Sequence, residues 1–167
     1  LIPLENAAPL DHMDDMDPAK LSWLVGLLIP YGGLLAANVQ PGQIVMVNGA
    51  TGSLGGAGVA VALAMGVERV VAPGRNKDRL DALVNQLGER VRPVLLSDDE
   101  ASNRERIAQA AEGPIDCLLD ILGQTRDTLP TRRGILAVRP NGTAVLMGGV
   151  NADIEIPYAY VMHNNIM

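Results

Sequence analysis

The chain is short of aromatic residues, cysteine and basic residues, and each shortage narrows what the protein can be. Aromatics make up 2% of its 167 residues and phenylalanine is absent, so the core has to consist of aliphatic side chains and methionine. The single cysteine, Cys117, excludes an internal disulfide and any zinc site with several cysteine ligands. The formal net charge of −6 argues against nucleic acid as a partner, because phosphate binding needs a basic surface.

Long apolar runs are also missing. Residues 21–39 come nearest to a membrane-spanning run, but Gly26, Pro30, Gly32 and Gly33 interrupt them. The first 20 residues are acidic and lack the basic start of a signal peptide. A single cysteine fits a reducing compartment. We therefore expect a cytoplasmic protein that has no membrane partner.

The most informative stretch, residues 43–77, has the order strand, glycine turn, helix, strand and basic turn. An apolar run at 44–47 precedes a turn at 50–55, a helix of small residues continues to about Met65, and a second strand covers 69–72. This order is typical of a dinucleotide-binding βαβ unit. The turn lets backbone N–H groups approach a pyrophosphate, and the helix N-terminus adds a partial positive charge.

The rest of the chain continues this alternation. We predict strands near residues 44–49, 69–73, 91–96, 115–121 and 142–148, with helices between them. Strands that alternate with helices favour an α/β fold of the Rossmann type, which is a doubly wound parallel sheet with helices on both faces.

Proline, glycine and alternating apolar residues predict the less regular parts. A helix over residues 18–28 is expected to break or kink at Pro30 and to resume as a short helix to Ala37. Residues 140–142, Pro-Asn-Gly, predict a turn. Alternating apolar residues at 153–160 suggest an edge strand, which we expect to be exposed or paired with another chain.

Ligands of doubly wound sheets bind at the carboxyl ends of the strands, and this places the candidate site. The candidate cofactor-binding residues follow four of the predicted strands: Ala50, Thr51, Gly52, Ser53, Leu54 and Gly55 after the first, Gly74, Arg75, Asn76 and Lys77 after the second, Leu122 and Gly123 after the fourth, and Gly148 and Gly149 after the fifth.

The end of the second strand also predicts which dinucleotide binds. NAD-specific folds place an acidic residue there for the ribose 2′-hydroxyl, whereas this chain has Arg75 and Lys77 and no acid before Asp78. We therefore predict that NADP(H) is preferred over NAD(H).

The remaining residues with reactive side chains have ordinary structural explanations. Cys117 lies within an apolar strand and is expected to be a core residue. His12 and His163 have no companions at metal-ligand spacing, so we predict no metal site. Asp120 could line the carboxyl edge, but a hydrogen-bonded structural role is favoured. Tyr158 and Tyr160 are candidate acids, but packing or interface roles are favoured for both. No catalytic residue can be assigned.

Several of these stretches together resemble the medium-chain dehydrogenase/reductase superfamily, and its quinone oxidoreductase or zinc-binding dehydrogenase branch in particular. The matching stretches are Tyr31-Gly32-Gly33-Leu34-Leu35, Val39-Gln40-Pro41-Gly42-Gln43, Asn48-Gly49-Ala50-Thr51-Gly52-Ser53-Leu54-Gly55, Gly74-Arg75-Asn76-Lys77-Asp78-Arg79-Leu80, Arg139-Pro140-Asn141-Gly142 and Leu146-Met147-Gly148-Gly149-Val150.

The resemblance also implies what this chain lacks. Family members have an additional N-terminal GroES-like catalytic domain, so residues 1–17 would be a linker from it and residues 18–167 the NAD(P)-binding Rossmann domain, with its sixth strand truncated. Zinc-dependent members have a cysteine ligand shortly before the Tyr31-Gly32 match, where this chain has residues 23–26, Trp-Leu-Val-Gly. The resemblance thus implies a zinc-independent oxidoreductase.

The activity expected from the resemblance is hydride transfer between nicotinamide and an enone, quinone or carbonyl substrate. The partners expected are this small-molecule substrate and a second copy of the chain in a homodimer. The chain by itself is expected to be inactive.

Two alternatives remain open at this point. Residues 51–58 also match the TGxxxGxG pattern of short-chain dehydrogenases, but those enzymes have a lysine four residues after their tyrosine, where Tyr158 is followed by Met162 and Tyr160 by Asn164. The other alternative is a non-catalytic NADP(H) sensor or binding module, which would bind the dinucleotide without turnover.

Overall fold

The sheet consists of five strands that all run in the same direction. The computed structural model describes residues 16–21 and 23–167, so the linker predicted over residues 1–17 lies almost wholly outside the described residues. The strands are β1 (Ile44–Asn48), β2 (Arg69–Gly74), β3 (Val91–Leu95), β4 (Ile115–Asp120) and β5 (Val138–Leu146). Their spatial order is β3-β2-β1-β4-β5, and every pairing is parallel. The predicted doubly wound sheet is therefore confirmed.

Helices connect the strands and precede the first one. They are α1 (Pro18–Leu21), α2 (Leu24–Ala36), α3 (Ser53–Ala64), α4 (Lys77–Leu87), α5 (Glu100–Ala111), α6 (Leu129–Ala137) and α7 (Tyr158–Asn164). Among the described residues, no helix has the length and apolar character needed to cross a membrane.

Two apolar layers, one on each face of the sheet, form the core. Val45 and Val47 of β1 belong to the layer that includes residues of α3 and α4, whereas Met46 belongs to the layer with Ile107 of α5 and Ile135 of α6. Because both faces are covered, β1 is buried along its whole length, as expected for a central parallel strand.

The helix break predicted at Pro30 is wrong. α2 continues through Pro30, and the interruption lies earlier, between Leu21 and Leu24. Pro30 is buried, and a Cβ added at Gly58 of α3 would lie 3.3 Å from its Cβ. A proline inside a helix costs about 3 kcal/mol, and we attribute its tolerance here to burial of the ring against α3.

The turn predicted at residues 140–142 is instead a bulge within β5. Ile115 pairs with Val138 and Cys117 with Thr143, so residues 139–142 stand opposite Asp116 alone. Asn141 adopts φ = +59°, a left-handed conformation that asparagine tolerates better than most residues. Residues 140–142 therefore mark a local bulge in β5, not a chain reversal, and β5 begins earlier than predicted.

The edge strand predicted at residues 153–160 is wrong, because residues 158–160 belong to the short helix α7 (Tyr158–Asn164). Pro157 has no N–H to donate to a neighbouring strand, and it precedes the first residue of that helix. Tyr158 is 79% exposed, which agrees with the exposure predicted for this segment. Ile156, in contrast, packs against one core layer, and the Tyr160 hydroxyl donates a hydrogen bond to the Leu136 carbonyl (3.0 Å). Pairing with another chain stays a prediction.

The last residue lies alongside β5. The Ala144 N–H donates to the Met167 carbonyl (2.7 Å), and the Met167 N–H donates to the Gly142 carbonyl (3.1 Å). This is the edge on which a strand following β5 lies in a sheet of order 3-2-1-4-5-6.

The close packing between α2 and α3 yields a stability test. A Cβ at Gly58 would lie 2.9 Å from Leu119 Cδ2 as well as 3.3 Å from Pro30, so Gly58→Val should lower the free energy of unfolding by about 1–3 kcal/mol through overpacking. Gly32→Val is the matched control, because a Cβ at exposed Gly32 meets nothing within 4 Å and should change stability by less than about 0.5 kcal/mol. Urea unfolding measures both, and equal effects would contradict the packing argument.

Candidate functional site

A row of adjoining cavities extends from the surface between α3 and α4 along the carboxyl ends of the strands. The first two, of about 510 and 270 Å³, share Thr51 and Arg79 as lining residues. The second shares Leu122 with a third cavity of about 170 Å³, which in turn shares Gln124 and Thr125 with a fourth of about 530 Å³. The carboxyl edge of the sheet thus has one elongated cleft, which suits an extended ligand better than a compact one.

The glycine turn between β1 and α3 forms the centre of this cleft. Gly49 adopts φ = +80°, and a Cβ there would lie 3.0 Å from the Ile121 carbonyl oxygen of the neighbouring chain segment. A Cβ at Gly55 would lie only 1.9 Å from the Gly49 carbonyl oxygen. Only glycine fits at these two positions without backbone movement, and as a result α3 begins directly against the turn.

The N-terminus of α3 has no side-chain cap. Gly52 is its N-cap residue and supplies no side-chain hydrogen bond, and the first turn contains no acidic residue. The Gly56 N–H bonds to the Gly52 carbonyl (2.8 Å), so the preceding N–H groups of Ser53, Leu54 and Gly55 have no partner within the helix. These donors and the helix dipole make the position suitable for an anion.

The other long connecting helices differ in this respect. Asn76 Oδ1 accepts a hydrogen bond from the Arg79 N–H (3.0 Å) at the start of α4, and Asp99 Oδ1 accepts one from the Ala101 N–H (3.1 Å) at the start of α5. A side chain therefore caps one N–H group in the first turn of α4 and of α5, whereas the first turn of α3 has no side-chain cap.

Cationic groups lie beside the end of β2. Gly74, Arg75 and Asn76 line the 270 Å³ cavity together with Arg79. The Arg75 side chain is 78% exposed, and its Nη2 lies 3.6 Å from Asp127 Oδ2. An ion pair this exposed contributes little to stability, so the guanidinium remains available to a ligand.

The structure brings most, but not all, of the sequence-predicted residues to the cleft. Ala50, Thr51, Gly52, Ser53, Leu122, Gly123 and Gly149 line its cavities, as do the residues at the end of β2 other than Lys77. Lys77 lies outside the lining, and an ion pair with Asp81 raises the pKa of its ammonium group. Leu54 and Gly148 also lie outside the lining, and Gly55 is buried beneath the turn.

Sequence reasoning missed Arg79 and Asp127. Arg79 lies in the first turn of α4, directly after the basic stretch that was predicted, and its closeness in sequence to Arg75 could have indicated it as a second cation of the same site. Asp127 follows β4 and reaches Arg75 only through the tertiary fold, so no local pattern pointed to it.

A buried polar pair joins the carboxyl ends of the central strands. Asn48 Nδ2 donates hydrogen bonds to Asp120 Oδ2 (3.1 Å) and to the Pro130 carbonyl (2.9 Å), and both side chains are at most 2% exposed. The Asp120 carbonyl accepts from the Met147 N–H (2.9 Å), which ties β5 to the same point. The structural role predicted for Asp120 is confirmed.

The single cysteine is not a reactive group. Cys117 is buried in β4, and desolvation, followed by the nearby charge of Asp116, raises the pKa of its thiol to about 12. The thiol is therefore protonated at neutral pH, and the predicted role as a core residue is confirmed. Within the described residues, no group of three histidine, cysteine or acidic side chains is arranged to hold a metal ion.

Removing the Asn48 amide tests the buried pair. Asn48→Ala leaves the Pro130 carbonyl and Asp120 Oδ2 without the Asn48 donor, while the Leu122 N–H still reaches Asp120 Oδ1 (3.4 Å), and each unsatisfied group costs about 1–3 kcal/mol. We expect the free energy of unfolding to fall by at least about 2 kcal/mol in urea titrations. Asn85→Ala, at an exposed position of α4, should leave it within about 0.5 kcal/mol, and a similarly small loss for Asn48→Ala would contradict the role assigned to the pair.

No protein-family model matches this chain. Among solved structures, it is similar to the quinone oxidoreductase from Thermus thermophilus, also described in its complex with NADPH, with 31% identity, a TM-score of 0.65, and coverage of 85% of this chain and 42% of that one. It is also similar to the zinc-dependent alcohol dehydrogenase 2 from Streptococcus pneumonia, with 20% identity, a TM-score of 0.74, and coverage of 92% and 42%.

A third similar structure is the alcohol dehydrogenase TADH from Thermus sp. ATN1, with 23% identity, a TM-score of 0.69, and coverage of 84% of this chain and 40% of that one. This chain therefore spans about two fifths of the length of these three proteins. These neighbours are oxidoreductases of one family. The resemblance found in the sequence is confirmed: the chain matches the cofactor-binding part of medium-chain dehydrogenase/reductases.

Proposed function

We propose that this chain is the NADP(H)-binding part of a zinc-independent oxidoreductase that transfers hydride between nicotinamide and an enone, quinone or carbonyl substrate. The observation that carries the proposal is the uncapped N-terminus of α3, which lies over the glycine turn in the same cleft as Arg75 and Arg79. The dinucleotide supplies the hydride chemistry when bound, and the residues of this chain bind and orient it.

The pyrophosphate fits the start of α3. The N–H groups of Ser53, Leu54 and Gly55 supply donors there, and the absence of a side-chain cap leaves them to the ligand. Ala50, Thr51 and Gly52 line the adjoining cavity with little side-chain bulk. This combination of open donors and small side chains is the feature of the cleft that best fits a bound diphosphate.

The 2′-phosphate fits the end of β2. The Arg75 and Arg79 guanidinium groups and the Asn76 amide can each donate to phosphate oxygens, and Gly74 lets the ligand approach the backbone. Asp127 is the opposing charge, since it pairs with Arg75 and has to give way to the phosphate. The quinone oxidoreductase described in complex with NADPH supports the choice of this dinucleotide.

The nicotinamide end fits the other part of the cleft. Leu122 and Gly123 after β4, and Gly148 and Gly149 after β5, lie at the carboxyl ends of neighbouring strands, and Leu122, Gly123 and Gly149 line the cavities there. These residues offer backbone groups and no ionisable side chain for proton transfer, so we assign this chain an orienting role and no catalytic acid or base.

Cofactor preference can be tested at Arg75. Arg75→Ala should weaken NADPH binding by about 10- to 150-fold, because a charged hydrogen bond contributes roughly 1.5–3 kcal/mol, and should leave NADH binding nearly unchanged. Calorimetry with both dinucleotides measures this, and Arg106→Ala, on α5 and outside the cleft lining, is the control. Equal losses for the two dinucleotides would contradict the assignment of Arg75 to the 2′-phosphate.

The Asp127 carboxylate, which pairs with Arg75, allows a second test of the same assignment. Asp127→Asn removes the competitor of the phosphate while keeping the size of the side chain, so NADPH should bind up to about fivefold more tightly. Weaker NADPH binding by this variant would show that Asp127 supports the ligand rather than competing with it.

Consumption of NADPH distinguishes a complete enzyme from the cofactor-binding part of an enzyme. We expect the 167-residue chain to bind NADPH but not to consume it with quinones or enones, because the resemblance places the catalytic groups in a further domain. An absorbance assay of NADPH consumption, run beside the binding titration, tests this. Robust turnover by the chain would contradict the proposal, whereas binding without turnover by a longer protein would favour the sensor.

A further inference from the structure

A second cavity lies at the opposite edge of the sheet from the proposed cofactor cleft. It has a volume of about 650 Å³ and lies between α5 and α6, beside Ile115 and Val138 at the amino ends of β4 and β5. Because the strands are parallel and β4 has six residues, this edge lies roughly 15–20 Å from the carboxyl edge. The volume is within the range of roughly 300–1,000 Å³ that is usual for small-molecule sites.

The charged residues that line this cavity are all arginines: Arg104, Arg132, Arg133 and Arg139. Ion pairs compensate the charge of two of them. Arg133 forms a bidentate ion pair with Glu100, with Nε 2.8 Å from Oε1 and Nη2 2.6 Å from Oε2. Arg139 Nε lies 2.6 Å from Asp116 Oδ1. The cavity is thus more basic than the chain as a whole, which has a net charge of −6.

Acidic neighbours compensate the other two arginines less fully, although, after the hydrogen bond from Arg133, the charge of Arg104 helps to lower the pKa of the Glu100 carboxyl. Arg104 and Arg132 form no ion pair within the part of the chain that the structure describes. Arg132 Nε donates to the Glu155 carbonyl (3.0 Å), which fixes the side chain while leaving its terminal N–H groups for a ligand. Two guanidinium groups that form no direct ion pair favour an anion in this cavity.

The carbonyl ends of both helices oppose an anion, and one carbonyl at each end already accepts a hydrogen bond from a side chain. Arg69 Nη1 donates to the Ala111 carbonyl at the end of α5 (3.1 Å), and the Tyr160 hydroxyl donates to the Leu136 carbonyl near the end of α6 (3.0 Å). These bonds offset the negative ends of the two helix dipoles.

The rest of the wall is apolar. On α5, Ile107 and Ala108 follow Arg104 by three and four residues and therefore lie on the same helix face. Leu136 of α6 and Pro157 of the tail add to this surface. A ligand for this cavity needs an apolar body as well as a negative head.

We propose that this cavity binds an organic carboxylate with an aliphatic body. The carboxylate pairs with Arg104 and Arg132, whose planar guanidinium groups match it in shape, and the chain lies against Ile107 and Leu136. The site is separate from the dinucleotide cleft, so the two ligands bind independently.

Calorimetry with sodium decanoate at concentrations below its aggregation limit tests the proposal, with 1-decanol and inorganic phosphate as comparison probes. We expect one decanoate per chain and much weaker binding of both comparison probes, because each lacks one of the two recognised features. Arg104→Gln and Arg132→Gln should each weaken decanoate binding by about tenfold or more. Arg106→Gln, the same change on α5 outside the cavity, should leave it unchanged.

Three results would overturn the proposal: 1-decanol binding as tightly as decanoate, inorganic phosphate binding as tightly as decanoate, or an equal loss of affinity in the Arg106→Gln control. Circular dichroism of each variant shows whether a loss reflects unfolding. Saturating NADPH should leave the decanoate affinity unchanged. A chain that binds decanoate but not NADPH would support this site while contradicting the proposed function.

Discussion

The contact between α3 and the glycine turn is the constraint on which the proposed cofactor cleft depends. Gly55 approaches the Gly49 carbonyl more closely than any side chain would allow, and Gly49 itself lies against the Ile121 carbonyl. These two close approaches bring the start of α3 to the carboxyl edge of the sheet with its first N–H groups open. The suitability of this edge for an anion follows from the backbone geometry, since neither glycine contributes a functional group.

Hydrogen bonds between strand ends stabilise the edge on which that turn rests. Asn48 and Asp120 are buried, and they join β1 to β4, while the Asp120 carbonyl accepts a bond from the segment after β5. Buried polar groups are costly unless they are paired, so this arrangement favours one register of the three strand ends. The loops that follow these strands therefore begin from fixed positions, as a binding cleft requires.

The distribution of arginine divides the molecule into two edges with different chemistry. At the carboxyl edge, Arg75 and Arg79 lie among backbone donors and small residues, which suits phosphate groups. At the amino edge, Arg104 and Arg132 lie beside aliphatic side chains, which suits an anion with an apolar body. An acidic net charge is compatible with both, because local charge and desolvation decide recognition more than the sum over the chain does.

The sequence by itself determined the order of the elements, the parallel sheet, the glycine turn and the loops at the strand ends that contribute to the cleft. Each of these depends on short-range patterns: apolar runs, small residues at fixed spacing and helix caps such as Asn76. Tertiary structure alone decided the rest. Helix α2 continues through Pro30 because the proline ring is buried against α3. Residues 139–142 form a bulge because β5 begins alongside Ile115. Asp127 reaches Arg75 although about fifty residues separate them in the sequence. Such outcomes depend on contacts between distant segments, whose energies of a few kcal/mol exceed local preferences.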